Sequence, residues 1–86
     1  MGLKVIHNEI IKCIGLKTKK IGDIYDYISR SNKLSKLGIN YVNFGEAMAK
    51  LERLDYVHIP DLRKKQTYTL SNKGVKIYLN MIEKEK

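Results

Sequence analysis

The side chains most often used for catalysis or metal binding are few in this chain and stand apart. His7 and His58 are separated by most of the sequence, and Cys13 is the only cysteine. Neither histidine has a cysteine or carboxylate at the spacing that a metal site requires. The sequence also has no glycine-rich phosphate-binding loop, no nucleophile elbow and no pair of catalytic carboxylates. We therefore expect a protein that is not an enzyme and that binds no metal and no cofactor.

The chemistry that the chain does offer is positive charge. It has 17 lysines and arginines against 9 acids, a formal net charge of +8 and an isoelectric point of about 9.6. Two runs concentrate this charge, Lys17-Thr18-Lys19-Lys20 and Arg63-Lys64-Lys65. Such a balance attracts a polyanion, although a net charge of several units also serves solubility alone. Charge by itself leaves nucleic acid and an acidic membrane surface open as partners.

Length and composition limit the class of protein. A chain of 86 residues predicts one domain over residues 1–86 with a modest core. No run of about 18 apolar residues predicts a membrane span, and polar residues interrupt the apolar N-terminal stretch, unlike a secretion signal. A single cysteine excludes an internal disulfide. We therefore expect a protein of the reducing cytoplasm.

Apolar spacing predicts the elements that must position the cations. A first helix is predicted over residues 3–14, ending at Gly15, and a second over about residues 19–30, with Thr18 as its candidate cap. Val5 and Ile11 fall off the main apolar stripe of the first helix, so we expect that helix to be buried from more than one side. A polar connection follows over residues 31–40, with a suggested extra helical turn at 34–37.

The third helix, over about residues 41–54, is the best-defined element. Its apolar stripe consists of Phe44, Ala47, Met48, Leu51 and Leu54. Asn43 and Glu46 fit a capping box at its start. Asp55 can adopt the left-handed conformation that often closes a helix.

A two-stranded hairpin and a last helix complete the chain. The strands are predicted over residues 56–59 and 66–70, with residues 62–65 at the tip. Ser71 is the expected cap of a helix that reaches to about residue 83. This order of elements predicts an α+β fold that is mainly helical.

Two segments resemble the junctions of winged helix-turn-helix regulators of the MarR and PadR types. The pattern L-E-x-x-G-(L or Y)-(V or I), which joins recognition helix to wing, is similar to Leu51-Glu52-Arg53-Leu54-Asp55-Tyr56-Val57, with Asp55 in place of the usual glycine. The pattern Y-x-L-T-x-x-G, where the wing enters the last helix, is similar to Tyr68-Thr69-Leu70-Ser71-Asn72-Lys73-Gly74. The chain also resembles in length the small winged-helix dimers of archaea and of their viruses and plasmids. The resemblance covers about residues 3–82 and implies a winged helix-turn-helix with three helices, a β-hairpin wing and a C-terminal helix.

The resemblance also implies which residues would contact double-stranded DNA. The third helix would enter the major groove, and the wing over residues 61–66 would follow the backbone or reach the minor groove. Asn43 would either contact adenine or serve only as the helix cap, and Glu46 would either complete the cap or accept from a cytosine amino group. The DNA-binding residues are predicted to be Lys17, Lys19, Lys20, Tyr41, Asn43, Lys50, Arg53, Arg63, Lys64 and Lys65.

The first and last predicted helices are more apolar than one core contact requires. In related regulators such terminal helices pair across a two-fold axis, so we predict a homodimer with an interface of Ile6, Ile10, Cys13, Ile14, Ile77, Tyr78, Met81 and Ile82. The alternative is a monomer whose terminal helices cross each other. In the dimer, Cys13 would form an intersubunit disulfide if it lies on the axis; otherwise it is expected to be a buried inert thiol.

These expectations favour a sequence-specific transcriptional regulator of double-stranded DNA. It would act as a repressor by occluding polymerase, associated with the nucleoid in the cytoplasm and without a small-molecule effector. Two alternatives are a chromatin protein that coats DNA without sequence preference and a winged-helix protein-interaction module. The mixed polar, small and acidic face of the third helix favours sequence recognition over uniform coating.

Overall fold

The computed structural model describes residues 5–30, 41–64 and 66–84. The predicted helix start at Leu3, the suggested helical turn at 34–37 and Lys65 lie outside these residues. The described chain forms four helices and three short strands: α1 (Val5–Ile14), β1 (Lys19–Lys20), α2 (Ile21–Arg30), α3 (Tyr41–Arg53), β2 (Val57–His58), β3 (Thr67–Leu70) and α4 (Asn72–Lys84). The predicted fold class, α+β and mainly helical, is confirmed.

Helix α1 lies at the centre of the core. Ile10, Ile11 and Ile14 are at most 1% exposed, and α1 contacts α2, α3, α4 and β3. Because α1 is covered from several directions, Ile11 is buried although it lies off the main apolar stripe, as expected. Val5, the other residue off that stripe, is 48% exposed, so the expectation does not hold for it. The rest of the buried core is supplied by Ile6, Ile24, Ile28, Phe44, Ala47, Met48, Leu51, Val57, Tyr68 and Leu70. No helix in the described ranges has the length and apolar character needed to cross a membrane.

A strand that the sequence did not predict extends the hairpin into a three-stranded sheet. The strand order is β1-β3-β2, and both pairings are antiparallel. Lys19 and Lys20 belong to β1 rather than to the second helix, where the apolar pattern had placed them. That helix begins at Ile21, whose N–H donates to the Gln66 carbonyl at 2.7 Å. Thr18 is therefore not its cap.

The turn after α3 is closed by a left-handed residue, as predicted. Asp55 has φ of 65°. Its N–H donates to the Glu52 carbonyl at 3.1 Å, and the Tyr56 N–H donates to the Leu51 carbonyl at 2.9 Å, which is the hydrogen-bond pattern of a Schellman motif. The helix ends at Arg53. Leu54, predicted within the apolar stripe, stands in this turn and is 37% exposed.

The start of α4 is fastened to the same turn. The Ser71 hydroxyl accepts the Gly74 N–H at 3.2 Å, which makes Ser71 the helix cap as predicted. The same hydroxyl donates to the Asp55 carbonyl. The Lys73 ammonium donates to the Leu54 carbonyl at 3.1 Å and lies 4.6 Å from the centre of the Tyr56 ring. These contacts fix the angle at which the wing leaves α3 and returns to α4.

Candidate nucleic-acid interface

The described part of the wing tip is an ordered turn that presents cations. The Asp61 carboxylate accepts the Arg63 N–H at 3.0 Å and the Arg63 Nε–H at 3.3 Å. The Lys64 N–H donates to the Asp61 carbonyl at 2.8 Å, and the Thr67 N–H donates to the Lys64 carbonyl at 3.0 Å. The Arg63 side chain is nevertheless 91% exposed. The hydrogen bond from Nε orients the guanidinium, while its remaining N–H groups face solvent.

The strand β1 brings the first basic run of the sequence to the wing. An open groove of about 650 Å³ lies between them, lined by Thr18, Lys20, Asp23, Arg63, Lys64, Gln66 and Thr67. Three cations from two distant parts of the chain therefore border one concave surface. The sequence contains both basic runs but gives no sign that they meet, because a two-residue strand is too short to show alternation.

The other two lysines of the first run are not among the residues that line this groove. Successive residues of a strand point to opposite faces, so Lys19 faces away from Lys20 and is half-buried. Burial raises the pKa of the Cys13 thiol above its ordinary value of 9.0, and the positive charge of Lys19 partly opposes this effect. The thiol of Cys13 is therefore protonated at neutral pH.

Lys17 is exposed in the turn before β1, where its N–H donates to the Ile14 carbonyl at 3.1 Å.

Helix α3 divides into a buried face and an outward face. Phe44, Ala47, Met48 and Leu51 are buried. Directly opposite them, at intervals of four, three and four residues, lie the exposed side chains of Val42, Glu46, Ala49 and Arg53. Lys50 is half-buried at the edge of this outward face.

The first turn of α3 differs from the predicted capping box. The helix begins at Tyr41, so Asn43 is its third residue and not its cap, and Glu46 lies in the second turn. The capping interpretation of both side chains is therefore wrong, and both are exposed on the helix. The start at Tyr41 agrees with the predicted range of about 41–54. The Tyr41 ring packs on the domain, with its centre 4.7 Å from that of Tyr25.

The Tyr41 side chain is partly packed and partly exposed. Its ring centre lies 6.4 Å from that of Phe44 in an edge-on arrangement, and Tyr25 also meets Phe44 at 5.2 Å. The side chain remains 65% exposed. The inner edge of Tyr41 thus anchors the start of α3, while most of its surface is open to solvent.

The residues predicted for a dimer interface fall into two groups, those buried in the protomer's own core and those with accessible surface. Ile6, Ile10 and Ile14 are 9%, 0% and 1% exposed, so they fill the protomer's own core and offer almost no surface to a second copy. This corrects their assignment, because α1 packs against α4 of the same chain. The residues that keep accessible surface are Cys13, Ile77, Tyr78, Met81 and Ile82. The homodimer itself stays a prediction.

Comparison with known proteins identifies the fold. No family model matches this chain, and no curated protein matches it at a significant level. A mutant form of Lactococcus lactis ZitR has a similar structure, with a TM-score of 0.68 and 14% sequence identity, over 96% of this chain. The fold is a winged helix. This chain spans about half of the ZitR chain, 53%, and at such identity the likeness shows the fold alone.

The winged helix accounts for the positions described above. In this fold β2 and β3 form the wing, and α3 is the helix that precedes it. Among the described residues no cluster of three or more histidine, cysteine, aspartate or glutamate side chains could hold a metal ion.

Proposed function

We propose that this chain is a sequence-specific regulator of transcription that binds double-stranded DNA. The observation that carries the proposal is the groove in which Lys20 from β1 meets Arg63 and Lys64 from the wing. Three cations and one carboxylate, Asp23, border this groove, and a phosphate backbone is a polyanion that such an excess of positive charge attracts. The structural likeness to ZitR supports the winged-helix fold on which this proposal rests.

The outward face of α3 supports recognition of sequence rather than uniform coating. It carries an apolar side chain at Val42, a carboxylate at Glu46 and a cation at Arg53. A protein that only neutralises phosphates has no use for a carboxylate on its groove face, whereas a carboxylate can accept from the cytosine amino group. Because the capping role of Glu46 is excluded, contact with a base is the better explanation of its position.

We further propose that the protein acts as a homodimer and represses transcription by occluding polymerase in the cytoplasm. Support for the dimer comes from α4, on which no apolar side chain is fully buried and Leu79 is 46% exposed. A two-fold pair would present two α3 helices to half-sites about 34 Å apart on one face of the duplex. Light scattering after size exclusion tests this: a 10 kDa species at micromolar concentration would rule out the dimer. Replacing Ile82 with aspartate should convert a dimer to a monomer.

Selection from a random pool of duplexes is the main test of the DNA-binding proposal. An enriched pseudo-palindrome supports a regulator. Binding without enrichment favours the chromatin alternative. No binding at low salt contradicts both and leaves the protein-interaction module.

The salt dependence of binding tests the groove directly. Each contacted phosphate contributes about −0.9 to the slope of log affinity against log salt concentration. Replacing Arg63 and Lys64 with alanine should weaken binding to all duplexes and reduce the slope by about 1 to 2. The matched control removes two exposed lysines of α4, Lys76 and Lys84, and should change the slope much less. Equal effects of the two double variants would mean that net charge, not the groove, attracts DNA.

A further inference from the structure

Helix α3 carries two exposed residues that weaken it, Val42 on the outward face and Gly45 at the edge of that face. Val42 is 67% exposed. Gly45 is also exposed, and a Cβ added to it would meet no atom within 4 Å. Valine and glycine both favour a helix less than alanine does; for glycine the deficit is about fivefold in the ratio of folded to unfolded molecules. Packing inside the described domain does not explain either choice.

At two other positions the structure shows why glycine is required. Gly15 ends α1 with φ of 57°, a conformation that other residues rarely adopt. At Gly74 an added Cβ would come within contact distance of the Tyr56 backbone carbonyl. Gly45 has neither feature, since it lies inside α3 with open space around it. Nothing in the described domain constrains Gly45, which points to a partner surface that approaches the helix closely.

We propose that Val42 and Gly45 determine specificity for thymine in the major groove. This inference rests on the DNA-binding function proposed above and deepens it. Thymine is the base that places an apolar group, its C5-methyl, in the major groove, and the Val42 methyl groups are the matching apolar surface. The absence of a side chain at Gly45 lets the helix axis come close enough for that contact.

The surrounding charges favour DNA bases as the occupant of this face. Lys50 and Arg53 lie further along α3, where they can reach phosphates on either side of the groove. Glu46 stands in the turn that follows Val42, and its carboxylate repels phosphate. The segment around Val42 and Gly45 therefore faces base edges while the cations contact the backbone.

The methyl group of thymine can be removed without changing base pairing. In a duplex recovered from the random pool, each thymine is replaced in turn by deoxyuridine, and affinity is measured at fixed salt. Wild-type protein should lose about fourfold in affinity for each methyl group that Val42 contacts. The Val42→Ala variant should bind the two forms of that duplex equally. Equal wild-type affinity at every replaced position, or unchanged discrimination by Val42→Ala, would overturn the proposal.

The Gly45→Ala variant separates folding from recognition. Its melting temperature should rise by about 4 °C because the helix gains propensity. Its affinity for the selected duplex, divided by its affinity for an unrelated duplex, should fall about fivefold or more. Gly22→Ala makes the same change at an equally open glycine of α2 and should leave that ratio unchanged. An unchanged ratio in Gly45→Ala, or an equal fall in Gly22→Ala, would refute the role of Gly45.

Different results would contradict the DNA-binding function and the assignment of thymine specificity. If wild-type protein binds no duplex, the proposed function itself is wrong. If it selects a sequence but is indifferent to thymine methyl groups and to Gly45→Ala, the DNA-binding function stands and only the specificity assignment falls.

Discussion

Replacing Gly74 with alanine should destabilise the protein strongly, although alanine is the better helix former. Gly74 is buried in the first turn of α4. A Cβ at this position would lie far inside the contact distance of the Tyr56 carbonyl oxygen and 3.2 Å from a Leu70 methyl group. The first of these atoms belongs to the backbone and cannot rotate away. Either α4 or the turn after α3 must therefore shift.

The magnitude follows from what that shift would break. Overpacking of this kind costs about 1–3 kcal/mol, and more where the clash is with backbone. The Tyr56 carbonyl also accepts the Ser71 N–H at 3.0 Å, and losing that bond costs about 1 kcal/mol. The gain in helix propensity offsets about 1 kcal/mol. We expect the free energy of unfolding to fall by about 2–3 kcal/mol and the melting temperature by about 10–15 °C.

Urea denaturation followed by far-ultraviolet circular dichroism measures this change. Gly22→Ala is the matched control, because a Cβ at Gly22 meets nothing within 4 Å; its stability should equal or exceed that of the wild type. A Gly74→Ala protein within about 0.5 kcal/mol of the wild type would refute the reasoning, since surface substitutions without a steric cause fall in that range.

Three further predictions concern the turn and the core. Ser71→Ala should lower the free energy of unfolding by about 1 kcal/mol in urea titrations, because the Gly74 N–H loses its capping acceptor; no loss would contradict the cap. Asp55→Gly should raise it by up to about 1 kcal/mol, because glycine adopts φ of 65° without strain; a decrease would show that the Asp55 side chain stabilises the turn. Burial raises the pKa values of Cys13 and Tyr68 above their ordinary 9.0 and 10.0, so the folded state favours their protonated forms. The stability from this source is present below about pH 9 and lost as pH rises further, and melting temperatures that stay flat from pH 8 to pH 10.5 would contradict it.

The outline of the fold could be predicted from local sequence patterns. The stripe Phe44, Ala47, Met48 and Leu51 predicts α3 because one helical face must be apolar to join a core. Asp55 and Ser71 mark the end of one helix and the start of the next because their side chains and backbone act within a few residues. These are short-range effects, so the order of helices and the hairpin follow from them.

The candidate interface depended on contacts that the sequence does not display. Lys19 and Lys20 form a strand because Thr67 and Tyr68, far along the chain, present a free edge to them. That pairing sends Lys20 to the wing and Lys19 toward Cys13. Helix α3 begins at Tyr41, as the predicted range of about 41–54 has it, and this start removes the capping role from Asn43. The packing of the Tyr41 ring on Tyr25 is a tertiary contact that the sequence does not display.

The division between sequence and tertiary structure is clearest at the glycines and at the first basic run. By itself the sequence determined a basic chain whose helices, wing and closing turn follow the order of a winged helix, because periodicity and turn chemistry act locally. Only the tertiary structure decided that Gly74 meets a carbonyl while Gly45 faces open space. It also decided that Ile10 belongs to the core and that Lys20 borders the same groove as Arg63. Distances between residues far apart in the chain are set by packing of whole elements, and no local pattern records them.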